Sequence, residues 1–318
     1  MHIASENTTI FIFREFVMSA NLLFVLGGND AEMVTGKAVL SLAGEKWIQP
    51  NVGWGDHVYS PADLGLEVVP EHEEMANRHG YSCPEKVDAR AVGVSTVVFI
   101  ECGPKDWPKG TPVVVIDHHG TRSGEPASVL QLLEVLNSRT RYNGSIYLGG
   151  ESKHHQKVGF ELSAATRRWV ELIAANDAGY IPAMLALGAT PDEVARIRAL
   201  DRSAQGITPA HETEAERALA NAEVKGRLTV VMLMHTKTAT IADRLFGRCD
   251  QLLVASNNGE VNFYGDGALC AKLKEKFDGW SGGSGLGKTG QNAFWGVGEG
   301  NGNLAQEVIS FITDHLKK

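Results

Sequence analysis

PVVVIDHHG, residues 112–120, decides the fold. Four β-branched residues in a row read as a short strand, and a polar triplet leaves that strand at its carboxyl end. Three other runs have the same form: NLLFVLGG (21–28), STVVFIECG (95–103) and GSIYLGG (144–150). Together they predict strands buried on both faces of a mostly parallel sheet. Helical patterns lie between and after them, from Pro126 to Leu136 and from Ala164 to Ala175. Strands alternating with helices predict an α/β layered domain.

In open parallel sheets, ligand sites form at the carboxyl ends of the strands. Those ends carry Asp30 and Glu32, Glu101, and Asp117-His118-His119, while Asp177 closes the helical run WVELIAAND. Carboxylates and neutral imidazoles in one place suit Mn²⁺, Zn²⁺ or Fe²⁺. Adjacent residues leaving a strand point in different directions, so one histidine of the pair can hold a metal while the other faces a substrate.

The second half of the chain opens with Thr190-Pro191-Asp192-Glu193, which has the residues of a capping box with proline in the first turn. A helix is expected from there to about Ala204, and a second from Glu212 to Val224, forming a connector over 189–226. Asp201-Arg202 reads as belonging to a connector salt bridge, with interdomain signalling the alternative. A second α/β unit over 227–318 has strands in RLTVVMLMH (227–235), QLLVASN (251–257) and EVNFYGDG (260–267), with Asn257-Asn258-Gly259 as a hairpin turn. Helices are expected near Ala239 to Phe246, Ala268 to Phe277 and Leu304 to Leu316.

WSGGSGLGKTGQNAFWG (280–296) contains the literal P-loop spacing Gly282-x-x-x-x-Gly287-Lys288-Thr289. A P-loop needs a hydrophobic strand before it and a helix after it. FDGW and GQNAFWGVG supply neither, so the segment reads as a flexible loop whose backbone N–H groups at Gly283 and beyond, with Lys288, could hold a substrate phosphate. Arg122, just past the histidine pair, is a second candidate phosphate ligand.

VVVIDHHG matches the signature of the DHH phosphoesterase superfamily, and the resemblance spans most of the chain after Met18. LGGNDAEM sits where that family has its first motif, VVFIECG where it has a strand ending in Asp, and IAANDAGYI resembles its fourth motif. The C-terminal unit resembles the DHHA1 substrate-binding domain. The resemblance implies a DHH-type domain over 18–188 and hydrolysis of a phosphorylated substrate by metal-activated water. It implies two divalent cations, usually Mn²⁺: Asp30 serving one, Glu32, His118 and Asp177 the other, with Glu101 bridging. His119 and Asp117 would be the catalytic pair. The sequence departs from the family at the first-motif His, whose place falls near Leu26, and in carrying Glu for Asp at two positions. His57 is a candidate substitute ligand. A variant of the same scaffold that senses a phosphate ligand without turning it over is the alternative.

The chain has 318 residues, a formal net charge of −8 and four scattered cysteines. The acidic charge speaks against long nucleic acid as a partner and leaves small phosphorylated molecules open. The cysteines show no zinc-ligand or C-x-x-C spacing, as expected of a reducing, cytoplasmic setting. No apolar run is long enough to span a membrane. Residues 1–17 read as an extension before Met18, or alternatively as an edge strand in TIFIF. A second copy of the chain is a compatible partner.

Overall fold

The computed structural model describes residues 22–50, 58–64, 96–107, 112–119, 122, 124–142, 145–149, 154–298 and 303–317. Residues 1–17, with TIFIF, and His57 lie outside them. The first part of the molecule contains β1 (Leu22–Leu26), α1 (Ala31–Leu42), β2 (Lys46–Ile48), β3 (Val58–Tyr59), β4 (Thr96–Ile100), β5 (Gly103–Pro104) and β6 (Val113–Ile116). It continues with α2 (Ser128–Asn137), β7 (Arg139–Tyr142), β8 (Ser145–Leu148), β9 (Gln156–Lys157) and α3 (Ala164–Ala186).

Four of these strands form a parallel sheet in the order β2-β1-β4-β6. Its register sets Leu26 beside Ile100 and Ile100 beside Ile116. The residues that follow, Gly27, Glu101 and Asp117, therefore leave the sheet at one level. β1 and β4 are buried on both faces, as their unbroken apolar runs require. On one face Phe24, Leu26, Val98, Ile100 and Ile116 pack against Met33 and Leu40 of α1 and Leu132 and Leu136 of α2. Each such side chain, fully buried, contributes about 1.5–3 kcal/mol.

Two expectations about this sheet need correction. β6 is an edge strand, and Val115 is exposed; its β-branched run reflects strand propensity rather than burial on both faces. The 145–148 strand is not in the parallel sheet at all. It pairs antiparallel with β7 in a separate three-stranded sheet, order β8-β7-β9.

The helix beginning at Ala164 runs past the predicted Ala175. It carries a break at Gly179 (φ −161°) and Tyr180 (φ +59°) before resuming around Pro182. Proline has no N–H to continue a helical ladder and disfavours helical backbone before it. Then α4 (Pro191–Ala204) starts at Thr190 with the expected capping box. The next helix, α5, spans Pro209–Ala220 rather than 212–224, because Thr208 caps it and Pro209 opens it. Asp201 and Arg202 both take part in connector salt bridges: Asp201 binds Arg198, and Arg202 binds Glu212 and also Asp243 of the second unit.

The remaining elements are β10 (Glu223–Lys225), β11 (Leu228–Leu233), α6 (Ala239–Leu245), β12 (Gln251–Ser256), β13 (Val261–Asp266), α7 (Gly267–Phe277), β14 (Trp280–Gly282), β15 (Asn292–Val297) and α8 (Leu304–Leu316). They build a six-stranded mixed sheet, order β10-β11-β12-β13-β15-β14. The turn at 257–259 joins β12 to β13 as the Asn-Asn-Gly signal predicts, with Gly259 at φ +92°. The glycine-rich segment is more ordered than expected. Its flanks are the antiparallel strands β14 and β15, and the buried Trp295 anchors the second domain's core with Phe263, Leu273 and Val308. Among the described residues, no helix is long and apolar enough to cross a membrane.

Candidate metal centre

Four side chains, two buried and two half-buried, meet where β4 and β6 end, α1 begins and α3 breaks. One ligand atom each from Glu32, Glu101, His118 and Asp177 lies within 4.8 Å of all the others. His118 Nε2 is 2.6 Å from Asp177 Oδ2, 3.4 Å from Glu101 Oε1 and 3.8 Å from Glu32 Oε2. Among the described residues none of these four atoms has a hydrogen-bond partner, and Asp30 Oδ2 beside them has none either. Buried polar atoms are normally paired, and an unpaired carboxylate oxygen costs more than a neutral group. Several in one place, all acceptors around one imidazole nitrogen, are what a divalent cation satisfies.

The elements hold the ligands from behind. Glu32 Oε1 accepts the Val129 N–H at the start of α2, leaving Oε2 for the site. Asp30 Oδ1 accepts the Met33 N–H and caps α1, leaving Oδ2. Glu101 takes φ +54°, a conformation that costs a non-glycine residue about 1–2 kcal/mol. It is secured by its N–H, which donates to the Ile116 carbonyl at 2.8 Å. Strain of this kind collects at functional sites. The neighbouring chain gives way to it: a Cβ on Gly27 would sit 2.3 Å from the Glu101 carbonyl oxygen. Gly27→Ala is accordingly expected to destabilise the fold by about 2–3 kcal/mol and to weaken cation binding, because Glu101 has to shift. Chemical denaturation and metal titration of the same variant measure both effects.

The charges fit the same reading. Burial, then repulsion from Glu101 and Asp177, drives the Asp30 carboxyl well above its ordinary range. Burial, then Asp177 and Glu101, does the same to Glu32. Asp177 is also raised, chiefly by burial. Burial works to raise Glu101 too, but contacts with His118 and Glu32 outweigh it and the net shift is downward. Burial alone would lower the imidazole of His118, yet Asp177 and Glu101 hold it up to about 10. Protons thus occupy a cluster in which too many carboxylates share one small volume.

His119 differs from its neighbour. It is 54% exposed, and its Nδ1 lies 2.9 Å from Asp117 Oδ1. Asp117 Oδ1 also accepts the His119 backbone N–H, at 3.0 Å. This fixes the ring's tautomer with Nδ1–H toward the carboxylate and leaves Nε2 for other partners. A ring nitrogen of His119 also comes within 4.8 Å of ligand atoms of Glu101 and His118.

Of the residues singled out in the sequence, Glu32, Glu101, His118 and Asp177 form the cluster, and Asp30, Asp117 and His119 border it. The other three are elsewhere. Arg122 is committed locally: its Nε and Nη2 donate to Glu125 and its Nη1 to the Val115 carbonyl. That bidentate pair engages two of its donors locally. Gly283 and Lys288 are in the second domain. Several loop N–H groups are already spent: Leu286 on Gly283, Gly287 on Gly267, Lys288 on Gly285 and Gly290 on the Asp266 carboxylate. The loop is therefore not the open cradle expected, although the Lys288 ammonium is exposed and donates to the Ser284 carbonyl of the same loop. The loop does approach the first domain: Ser284 N would be 3.9 Å from a Cβ on Gly179, two residues past Asp177. Leu26, where the family's first-motif His would fall, is wholly buried in the core.

No protein-family model matches the chain, and no curated protein matches it. Among solved structures it is similar to a pGpG-specific phosphodiesterase from Vibrio cholerae, at 12% identity over 93% of this chain and 98% of that one, with a TM-score of 0.34. It is similar to the DHH domain of a protein described as a member of a family of ribosomal proteins, at 13% identity over 93% and 87%, with a TM-score of 0.43. An uncharacterised protein from Helicobacter pylori matches at 11% identity over 93% and 100%, with a TM-score of 0.23.

Proposed function

We propose that this chain is a metal-dependent phosphoesterase of DHH type, acting on a small or short phosphorylated substrate such as a nucleotide or an oligonucleotide end. The observation that carries the reading is the convergence of four buried, unpartnered ligand atoms beside an exposed histidine. Glu32, Glu101, His118 and Asp177 would hold a divalent cation, with Mn²⁺ the best match to this mix of carboxylates and imidazole. Bound there, the ion would supply Lewis-acid activation of water and neutralise charge on the phosphoryl group.

The chain's own groups do the rest. Asp117 orients His119, so that His119 Nε2 would face the phosphoryl oxygen or the departing oxygen. Lys288, the exposed cation of the facing loop, would meet the substrate's phosphate from the second domain. If it binds ground and transition states alike, Lys288→Met raises KM several-fold and leaves kcat unchanged. A fall in kcat alone would assign Lys288 a different part.

The test is turnover of bis-aryl phosphates, dinucleotides and nucleotides by the purified chain with Mn²⁺, against the same protein treated with a chelator. Activity restored by Mn²⁺ supports the reading; metal-independent turnover refutes it. Leu26 favours one rival, a phosphate-ligand sensor, because it puts an apolar side chain where an imidazole would help Asp30 hold a second ion. The sensor predicts thermal stabilisation by nucleotide and Mn²⁺ with no turnover of any of these substrates. A cytoplasmic location accords with the scattered, unpaired thiols of Cys102, Cys249 and Cys270.

A further inference from the structure

Arg198, on α4, is buried and touches three parts of the molecule at once. Its Nη1 donates to Asn176 Oδ1 at 2.9 Å and to Asp201 Oδ2 at 2.7 Å. Its Nε donates to Asp243 Oδ1 at 3.0 Å. Its guanidinium stacks on the Tyr180 ring, 4.5 Å from the centroid.

Each partner leads to something that matters. Asn176 is the residue before Asp177. Asp201 Oδ1 accepts the Ala31 N–H, between Asp30 and Glu32, and α4 is tied to the same segment by Asn29 Nδ2 donating to the Ala204 carbonyl. Asp243 is on α6 in the second domain and also receives Arg202 Nη1 and the Tyr180 hydroxyl. The carboxylate-bearing start of α1 and the carboxylate-bearing break of α3 are thus connected through one guanidinium, which is itself fastened across the domain boundary.

We propose that Arg198 is a positioning residue for the metal centre: it fixes the spacing of the Asp30–Glu32 and Asp177 segments and makes that spacing depend on the second domain through Asp243. The inference rests on the metal-dependent reading above. A planar fork satisfies three acceptors in fixed directions; the flexible ammonium of a lysine keeps the charge but not the directions. Groups that orient ligands from behind change metal affinity by roughly 10–100-fold when lost.

The experiment is calorimetric titration of Mn²⁺ alone into the metal-free chain of 318 residues. Arg198→Lys and Asp243→Asn are compared with the wild type, with Asp177→Asn, and with Ile312→Ala, a buried position in the second domain's core. The expected result is Mn²⁺ binding weakened at least about tenfold in folded Arg198→Lys and Asp243→Asn, and unweakened in Ile312→Ala at a comparable loss of thermal stability. Amide exchange at Ala31 should also accelerate in Arg198→Lys. Wild-type affinity in both folded variants, or equal weakening in Ile312→Ala, overturns the proposal. If Arg198→Lys does not fold, Asp243→Asn decides. Failure of the wild type to bind Mn²⁺ overturns the metal reading and this proposal with it. Binding that Asp177→Asn abolishes but Asp243→Asn leaves intact overturns the proposal alone.

Discussion

His118→Ala is expected to lower turnover by roughly 100-fold or more while the fold survives, because it removes the imidazole on which three carboxylates converge. The fold should survive because His118 lies past the end of the edge strand β6 and outside the hydrophobic clusters. Removing it takes away a cationic partner from Asp177 and Glu101, so the metal-free variant gathers more protons rather than unfolding. Asp117→Ala is expected to fall as far in turnover by another route, since it frees the His119 ring without touching the cluster. The two variants should part company in metal titration. His118→Ala loses Mn²⁺ affinity; Asp117→Ala keeps it. Circular dichroism, steady-state kinetics and calorimetry on both give the answer, and retained turnover in both would remove the site from consideration.

The second large effect concerns acidity and metal together. Asp30, Glu32 and Asp177 have raised pKa values in the folded, metal-free chain, and so does His118. A raised group stabilises the fold fully below its unfolded pKa, near 4 for the carboxyls, and loses that contribution as pH climbs through the folded value. Glu101, lowered, works in the opposite sense and loses its contribution as pH falls. Three raised carboxyls outweigh one lowered, so the metal-free protein is expected to lose thermal stability from pH 5 to 8. A divalent cation replaces the protons and abolishes the trend. At 100 times its Kd it adds about 2.7 kcal/mol, or a rise in Tm of roughly 5 °C or more. Melting curves with chelator and with Mn²⁺ at several pH values should therefore diverge as pH rises. A gap that stays constant with pH would show that these carboxyls do not bind the ion.

Much of this site is legible from residues in a row. Asp117 and His118 follow a strand, Glu101 ends another, and the register that levels them is a property of any parallel sheet. What a linear reading misses depends on contacts distant in sequence or on local cues overruled by composition. Arg198 lies 22 residues from Asn176 and 45 from Asp243, and nothing in IRAL announces those partners. The helix break has a signal, Gly179 three residues before Pro182, that the regular pattern before it obscures. Thr208-Pro209 repeats the cap of Thr190-Pro191, yet the charged run beginning at Glu212 draws the expected boundary later. β15 is masked by the glycines before it, although Ala293 and Trp295 alternate with less buried residues as a strand should. Arg122 has a local partner that its place after the histidine pair does not announce: Glu125, three residues on.

The break at Gly179 also sets the electric field of the site. An unbroken α3 would carry its chain of peptide dipoles past Asp177 to Ala186. Interrupted, the first segment ends within a turn of that carboxylate and would set the negative end of its dipole, about half a charge, beside it. At the opposite wall, Asp30 and Glu32 occupy the positive pole at the start of α1, where anionic side chains are favoured. One helix end would thus attract a cation directly while the other steadies the carboxylates around it, so the backbone itself would favour a positive guest.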